Sequence, residues 1–215
     1  MGCLLKQGGI HSRLRIGAVL LAAGEGRRMG GVAKPLISRQ LVALSGAGVD
    51  EVVVVTGHAR HAIEEQLRSY VVTLAHNEAY TAGQQGSVRV GLNALSGPFD
   101  AVIIVLADQP LIGAGDLTEL IGAFKKRPSG QVVVPVVNGQ RGNPIVLGEQ
   151  ALSRILSSDA NLGCRHLIER QPEWVYAYET ANTRFVTDLD TMDDLQQLAQ
   201  RTGWRLELPT PEMAQ

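Results

Sequence analysis

The sequence predicts a three-layer α/β sandwich, in which one mostly parallel β-sheet is covered by helices on both faces. Short apolar runs such as VVVV (52–55) and VIIVL (102–106) are typical of strands that are buried on both faces. Segments with helical spacing separate these runs along the chain. Such β–α alternation implies parallel strands joined by helices that pack on both faces of the sheet.

Each predicted strand is a short apolar run, and each predicted helix has apolar residues at helical spacing. The strands are expected at 18–22, 52–56, 71–74, 101–106, 132–135, 145–147 and 174–178. The helices are expected at 59–68, 87–95, 117–126, 150–156, 165–170 and 191–201, with a further helix soon after Pro35. We expect 16–203 to form a single domain, with 1–15 as a flexible extension and 204–215 as a tail.

Composition indicates a globular enzyme and argues against several other classes. The 215 residues are 45% hydrophobic and include 24 glycines, which suits a layered fold with many turns. The net charge of −1 gives no electrostatic footprint for nucleic acid. No apolar run approaches the length that spans a membrane. Cys3 and Cys164 make neither a disulfide framework nor a zinc site, so a cytoplasmic location is expected.

The first strand runs into a glycine-rich loop that carries three cations. The segment GAVLLAAGEGRRMGGVAK spans 17–34, and its glycines and cations include Gly24, Gly26, Arg27, Arg28 and Lys34. Glycines let backbone N–H groups approach phosphate oxygens, and Arg and Lys neutralise their charge. The loop therefore suits a polyphosphate, although its spacing matches neither the dinucleotide-binding fingerprint nor the Walker loop. A tight strand–helix turn with solvated arginines is the alternative.

Carboxylates follow the strand at 101–106 and precede the last helix. Asp108 lies at the carboxyl end of a buried strand, which is where ligands of open α/β sheets bind. Asp188 and Asp190 alternate along an extended segment and so point the same way. Mg²⁺ prefers one or two carboxylates together with phosphate oxygens, so these residues are candidate Mg²⁺ ligands. Turn or helix-capping roles are the alternatives.

Several segments together resemble the molybdenum cofactor cytidylyltransferases of the MobA-like NTP transferase superfamily. In chain order they are LAAGEGRRMG, VVVVTGH, HNEAYTAGQQGSVRVGL, LADQPLI, VVPVVNGQRGNPIVL and DLDTMDDL, and they lie within 16–200. The resemblance implies a Rossmann-like sandwich of the nucleotidyltransferase type. It also implies Mg²⁺-dependent transfer of CMP from CTP to the molybdenum–pterin cofactor, with release of pyrophosphate. A molybdoenzyme or its maturation chaperone is the implied protein partner.

The same resemblance assigns roles to individual residues around the nucleotide. The implied triphosphate-binding residues are Leu21, Ala22, Ala23, Gly24, Gly26, Arg27, Arg28 and Lys34. Gly83 and Ser87 are placed near the nucleobase and ribose, although a helix N-cap would also explain Ser87. Arg28, Lys34 and Asp108 are the implied catalytic residues.

The resemblance also assigns the metal and acceptor sites. It places Mg²⁺ on Asp108 and Asp190, with Asp188 as the second choice. It places the pterin substrate beside Arg141, Gly142, Asn143 and Pro144. A plain hairpin tip is the alternative for this last segment, because Asn138 and Gly139 form an ordinary turn signal.

Three other functions stay open at this stage. A guanylyltransferase would use GTP. The LAAG of this chain resembles the CTP-using branch, whereas the guanylyltransferase branch usually has LAGG. The same chemistry could act on another phosphorylated acceptor such as methylerythritol phosphate, because the Ser87-Val88 and Gly91-Leu92 match is shared with that family. A non-catalytic nucleotide-binding partner of molybdoenzymes is favoured by the short segment between Lys34 and the next helix.

Overall fold

A computed structural model describes residues 13–24, 33–158, 163–189 and 191–203 of the chain. The predicted C-terminal tail and nearly all of the predicted N-terminal extension lie outside these residues. Four of the predicted site residues also lie outside them: Gly26, Arg27, Arg28 and Asp190. For Lys34 the structure describes the backbone only.

The described residues form eight strands in one mixed sheet. The strands are β1 (Ile16–Ala22), β2 (Glu51–Thr56), β3 (Thr73–His76), β4 (Ala101–Leu106), β5 (Val132–Val137), β6 (Gln140–Arg141), β7 (Ile145–Gly148) and β8 (Val175–Glu179). They are hydrogen-bonded in the order β3-β2-β1-β4-β7-β5-β6, and β8 pairs with β5. Strands β3, β2, β1 and β4 are neighbours in this order and pair in parallel, and β8 pairs in parallel with β5. β7 pairs antiparallel with β4 and β5, and β6 pairs antiparallel with β5.

An interrupted strand made of β6 and β7 runs along one edge of β5. Because β8 pairs with β5 over 132–136, β6 and β7 lie on the opposite edge. The hairpin turn itself consists of Asn138 and Gly139, with φ of 50° and 80°, as a two-residue turn between antiparallel strands requires. The prediction of a hairpin tip at 142–144 is therefore wrong, since these residues form the break between β6 and β7.

Seven helices are found in the described part of the chain. They are α1 (Ala33–Gly46), α2 (Arg60–Gln66), α3 (Gln84–Ala94), α4 (Ala114–Lys126), α5 (Glu149–Ser157), α6 (Cys164–Arg170) and α7 (Met192–Thr202). Short 3₁₀ turns span Leu67–Ser69, Tyr80–Ala82, Pro172–Trp174 and Thr183–Val186. None of the helices that the structure describes is long and apolar enough to cross a membrane.

Two hydrophobic clusters cover the two faces of the sheet. Along β1, Ala18 and Leu20 pack in one cluster with residues of α1, α2 and α4. Val19 and Leu21 pack in the other cluster with residues of α3, α5 and α6. Because successive side chains of a strand alternate between faces, this arrangement makes the helix–sheet–helix sandwich that the sequence predicts. The predicted three-layer, mostly parallel α/β fold is confirmed.

Close helix–sheet packing is visible at Gly91 of α3. A Cβ atom there would lie 2.3 Å from Cγ1 of Val19 and 2.8 Å from Cγ2 of Val55. The absence of a side chain thus allows α3 to approach β1 and β2 closely.

Helix α1 begins earlier than the sequence predicts, because the predicted start lies after Pro35. It starts at Ala33, so Lys34 and Pro35 both lie in its first turn. Proline is tolerated there because N–H groups in the first turn have no partner within the helix. The backbone of Lys34 is therefore helical and follows the glycine-rich loop directly.

Candidate active site

The start of the loop after β1 lies between the carboxyl ends of β2 and β4. The N–H of Ala107, just after β4, donates to the carbonyl of Leu21 over 3.2 Å. The N–H of His58, just after β2, donates to the carbonyl of Ala23 over 3.4 Å. Ala22 ends β1 and is buried, as is Ala23. The start of the predicted phosphate loop is thus fixed at the centre of the sheet edge.

Space is open where this loop leaves the sheet. Gly24 is exposed, and no described heavy atom lies within 4 Å of the position of a Cβ atom there. The predicted contributions of Gly26, Arg27 and Arg28 lie beyond the described residues.

Asp108 lies beside the segment that precedes α7. Its carbonyl oxygen accepts a hydrogen bond from the N–H of Leu189 over 2.8 Å. The next residue, Gln109, is 1% exposed, and its Nε2 donates to Oδ1 of Asp188 over 2.8 Å. The fold therefore brings the two predicted acidic segments together at the carboxyl end of β4.

Two described carboxylates, Asp108 and Asp188, lie in segments that meet at this edge of the sheet and are candidate metal ligands. Within the described ranges, no cluster of three or more His, Cys, Asp or Glu side chains is found that could hold a metal ion. Mg²⁺ needs only one or two carboxylates, because water and substrate phosphates complete its octahedral shell. Asp108 and Asp188 fit this requirement. Asp190, the first choice from the resemblance, lies outside the described residues.

A reciprocal capping pattern follows these acids. The Oγ1 of Thr191 accepts from the N–H of Asp194 over 3.1 Å, and Oδ2 of Asp194 accepts from the N–H of Thr191 over 2.7 Å. This is a capping box, and it fixes the start of α7 after the acidic segment.

Helix α3 begins beside the carboxyl end of β3. Gly83 precedes its first residue with φ of 119°, so Ser87 is the fourth residue of the helix and not the N-cap. The buried Oγ of Ser87 accepts from Nδ2 of Asn77 over 2.9 Å. The backbone N–H of Asn77 donates in turn to the carbonyl of Thr56 over 2.9 Å. Asn77 thereby joins the ends of β2 and β3 to the first turn of α3.

Sequence reasoning missed Asn77 and Gln109. Asn77 lies in HNEAYTAGQQGSVRVGL and Gln109 lies in LADQPLI, but the predicted roles in these segments fall on Gly83, Ser87 and Asp108. The position of each residue offers the available signal, since Asn77 follows β3 directly and Gln109 follows Asp108.

A cleft of about 590 Å³ opens on the face of the sheet that α3 and α6 cover. Its apolar floor consists of Val88, Ile104, Val134, Ile145 and Ile168. Its polar lining consists of Gln84, Gln85, Arg141, Asn143, Arg165, His166 and Glu169, and Gly142, Gly163 and Cys164 complete it. Three of the four predicted acceptor residues therefore line one cleft, and the fourth, Pro144, is buried next to it.

The break between β6 and β7 contacts the 185–189 segment directly. The N–H of Gly142 donates to the carbonyl of Pro135 over 2.8 Å, and the N–H of Asn143 donates to the carbonyl of Phe185 over 2.9 Å. A Cβ atom on Gly142 would lie 2.4 Å from that same oxygen of Phe185. The cleft and the acidic segment are thus in backbone contact.

Charge in the cleft is dominated by cations. The hydrogen bond that Arg165 donates to Glu169 over 2.9 Å lowers the pKa of Glu169, and the charges of Arg165, His166 and Arg141 lower it further. Glu169 is therefore ionised at neutral pH and is the one carboxylate among the described residues that line this cleft. With Arg141 and Arg165 opposite one carboxylate, the cleft suits an anionic ligand.

The cleft cysteine is not an activated nucleophile. Burial raises the pKa of the Cys164 thiol to about 12, so the thiol stays protonated at neutral pH. Covalent catalysis by this residue is therefore disfavoured.

Sequence comparison identifies a family. Residues 18–175 match the MobA-like NTP transferase domain. The Bifunctional protein GlmU of Syntrophomonas wolfei is 28% identical over 161 residues, which are 69% of this chain and 35% of that protein. The GlmU of Pelobacter propionicus is 33% identical over 138 residues, which are 60% of this chain and 29% of that protein. The chain thus spans about a third of the length of the curated relatives that it matches.

Structural comparison identifies the same fold in solved proteins. Rv0371c from Mycobacterium tuberculosis H37Rv has a TM-score of 0.71 at 20% identity, covering 87% of this chain and 98% of that one. Rv0371c has also been solved in complex with manganese. The 4-diphosphocytidyl-2C-methyl-D-erythritol synthase from Anaerococcus prevotii has a TM-score of 0.68 at 16% identity, covering 89% and 97%. These likenesses show the nucleotidyltransferase fold. Because the match to the domain extends over well more than half of this chain, the chain belongs to the MobA-like NTP transferase family.

Proposed function

We propose that this chain is a Mg²⁺-dependent cytidylyltransferase that transfers CMP from CTP to the molybdenum–pterin cofactor and releases pyrophosphate. One observation carries the proposal: the start of the glycine-rich loop, Asp108 and the 185–189 segment meet at one sheet edge beside a cationic cleft. Family membership supports the coarser statement, that a nucleotidyl group is transferred.

The proposed reaction is an in-line displacement at the α-phosphorus of CTP. A terminal phosphate oxygen of the acceptor forms the new bond to phosphorus, the bond to the bridging oxygen breaks, and pyrophosphate leaves with that oxygen. Such a reaction depends mainly on positioning and on charge neutralisation. The backbone from Leu21 to Gly26, with Arg27, Arg28 and Lys34, is proposed to hold the triphosphate.

The metal ligands in this proposal are Asp108 and one of the two later acids, Asp188 or Asp190. When bound, Mg²⁺ supplies positive charge to the phosphate oxygens. Asp188 gains support from its position beside Asp108, whereas Asp190 rests on the resemblance alone. The role of the protein is to keep both carboxylates at the end of β4 before the substrates arrive.

The 590 Å³ cleft is the proposed acceptor site. Its apolar floor offers a surface for a flat heterocycle, while Gln84, Gln85 and Asn143 offer amide hydrogen bonds. Arg141 and Arg165 offer charge to the acceptor phosphate. The protonated thiol of Cys164 is consistent with direct transfer. Its being a free thiol suits the cytoplasm, where we place the reaction.

A second acceptor has a specific observation in its favour. The Anaerococcus prevotii neighbour is named for a diphosphocytidyl product of methylerythritol, so its name supports both CTP and a different phosphorylated acceptor. We therefore keep methylerythritol phosphate as the alternative acceptor for the same nucleotidyl transfer.

The test is pyrophosphate release with Mg²⁺ and each of CTP, GTP, ATP and UTP, first with purified molybdenum–pterin cofactor and then with methylerythritol phosphate. Release with CTP and the pterin alone supports the proposal. Release with GTP moves the assignment to a guanylyltransferase, and release with the second acceptor alone moves it to that substrate. No release in any mixture, despite CTP binding, contradicts the transferase and favours a nucleotide-binding partner of molybdoenzymes.

A further inference from the structure

Gln109 is a buried side chain that the proposed reaction does not use. It is 1% exposed, and its Nε2 donates both to Oδ1 of Asp188 over 2.8 Å and to the carbonyl of Phe185 over 3.2 Å. Both partners are acceptors, so the opposite orientation of the amide would place oxygen against oxygen. The hydrogen-bond network therefore fixes which end of the amide faces Asp188.

We propose that Gln109 is a positioning residue that orients Asp188 for metal binding, an inference that rests on the proposed function. A carboxylate has two oxygens, and the hydrogen bond from Gln109 holds Oδ1 in place. The other oxygen, Oδ2, is then presented to a cation in one orientation. Asp188 is exposed whereas Gln109 is buried, so a rigid interior group holds a ligand that solvent would otherwise leave free to rotate.

The neutrality of the amide matters to this role. An Arg or Lys partner would compensate the charge of Asp188 and compete with a cation for it. An amide N–H fixes the carboxylate while leaving its full negative charge available. Partners of this kind behind metal ligands orient the ligand and typically influence metal affinity about 10- to 100-fold.

Gln109 is itself held firmly by its surroundings. Its carbonyl oxygen accepts from Nε2 of Gln40, a fully buried residue of α1, and from the N–H of Ile112 over 3.3 Å. Because it directly follows Asp108, one short loop fixes both candidate metal carboxylates.

The same amide connects the metal segment to the acceptor cleft. The carbonyl of Phe185 accepts from Nε2 of Gln109 and from the N–H of Asn143, which lines the cleft. The amide of Gln109 therefore contacts both the segment that holds Asp188 and the backbone that anchors a residue of the cleft.

Direct measurement of Mn²⁺ binding tests the proposal without turnover. We would titrate the full chain with Mn²⁺ in the presence of a non-hydrolysable CTP analogue and follow free Mn²⁺ by electron paramagnetic resonance. Gln109→Met keeps the length of the side chain and removes both donors. We expect it to raise the Kd for Mn²⁺ about tenfold or more, with the affinity for the analogue in the absence of metal unchanged. In turnover, the Mg²⁺ concentration that gives half of the maximal rate should rise, while kcat at saturating Mg²⁺ changes much less.

Two comparisons separate positioning from a general loss of structure. Gln66→Met is the matched control, because Gln66 also donates from Nε2 in a partly buried site, to Oγ of Ser38 between α2 and α1. It should leave the Kd for Mn²⁺ unchanged. In an Asp188→Ala background, Gln109→Met should add less than a twofold change, because the residue on which it acts is gone. If Gln109→Met does not fold, Gln109→Asn keeps the amide but shortens its reach, and the same comparisons apply.

The outcomes distinguish this inference from the proposed function. The positioning role is overturned if Gln109→Met binds Mn²⁺ as tightly as the wild type. It is also overturned if Gln109→Met weakens Mn²⁺ binding as much in the Asp188→Ala background as in the wild type. In either case, pyrophosphate release by the wild type still stands. A wild-type chain that neither binds Mn²⁺ nor releases pyrophosphate overturns both.

Discussion

Replacing Gly142 with alanine should separate the two halves of the candidate active site. The new Cβ atom would lie 2.4 Å from the carbonyl oxygen of Phe185 and 2.8 Å from its carbonyl carbon. Real Cβ contacts are essentially never shorter than 3.0 Å, so the two segments of backbone must move apart by at least about 0.6 Å. Neither side is the flexible end of a side chain, because both are backbone. The hydrogen bond from Asn143 to Phe185, now 2.9 Å long, would stretch towards about 3.5 Å if it took up the whole shift.

Both stability and activity should respond to this substitution. Overpacking of this kind costs about 1–3 kcal/mol, which lowers the Tm of a chain of this size by several degrees. The 185–189 segment also holds Asp188, so its displacement moves a candidate metal ligand relative to Asp108. Since a misplacement of about 1 Å can cost about 100-fold in rate, we expect kcat for pyrophosphate release to fall about tenfold or more.

The assay is pyrophosphate release together with thermal unfolding of Gly142→Ala. Gly122→Ala is the matched control, since it lies inside α4 and, among the described residues outside its own helix turn, no heavy atom lies within 4 Å of the added Cβ atom. It should be neutral or stabilising by up to about 1 kcal/mol, with wild-type kcat. If Gly142→Ala keeps the kcat and Tm of the wild type, the contact between the acceptor cleft and the acidic segment is not tight, and the reasoning fails.

Three further substitutions test the metal ligand, the packing of α3 and the charge of the cleft. Asp108→Asn keeps the shape of the side chain and removes its charge, so pyrophosphate release should fall about 100-fold or more while the Tm stays within a few degrees; a folded, active variant would exclude the metal role. Gly91→Ala should lower the free energy of unfolding in urea by about 1–3 kcal/mol despite its better helix propensity, because the added methyl group would lie 2.3 Å from Val19; unchanged stability would contradict the close packing of α3. Glu169→Gln should lower the KM for an anionic acceptor about two- to threefold at low salt, because the carboxylate no longer competes for Arg165. Because that hydrogen bond lowers the pKa of Glu169, the wild type keeps this charge, and the stability it adds, at all pH values above the ordinary Glu range and loses them as pH falls through the lowered pKa. The two proteins should therefore differ across neutral pH and converge in acid, and a difference that persists in acid would contradict the mechanism.

Burial explains which elements could be predicted from the sequence. The central strands β1, β2 and β4 are continuous apolar runs because both of their faces are covered, and the sequence predicts them within one or two residues. The edge strand is different: the predicted span 71–74 follows the apolar letters, whereas β3 is Thr73–His76. Val71 is fully exposed, so pairing with β2, and not hydrophobicity, decides where this strand begins. The antiparallel sense of β7 also depends on its neighbours and has no local signal.

The candidate site divides in a similar way. Asp108 could be predicted because its position follows from the strand before it. The partnership of Gln109 and Asp188 could not, because it joins residues 79 positions apart and depends on how the chain returns to the sheet. Ser87 was expected near a helix start, but Gly83 begins the helix earlier and leaves Ser87 as a partner of Asn77. The phosphate-binding roles of Arg28 and Lys34 stay predictions.

The 185–189 segment has a consequence for how the protein is made. The family match ends at residue 175, so it includes the glycine-rich loop, Asp108 and all the described residues that line the cleft, but not Asp188. A chain that is synthesised from its amino end can pair β1 to β4 while the second carboxylate is still missing. The catalytic assembly would then be among the last parts of the nascent chain to form. A premature stop between β8 and Asp188 would leave the sheet with the start of the glycine-rich loop and with Asp108, but without the later acidic segment.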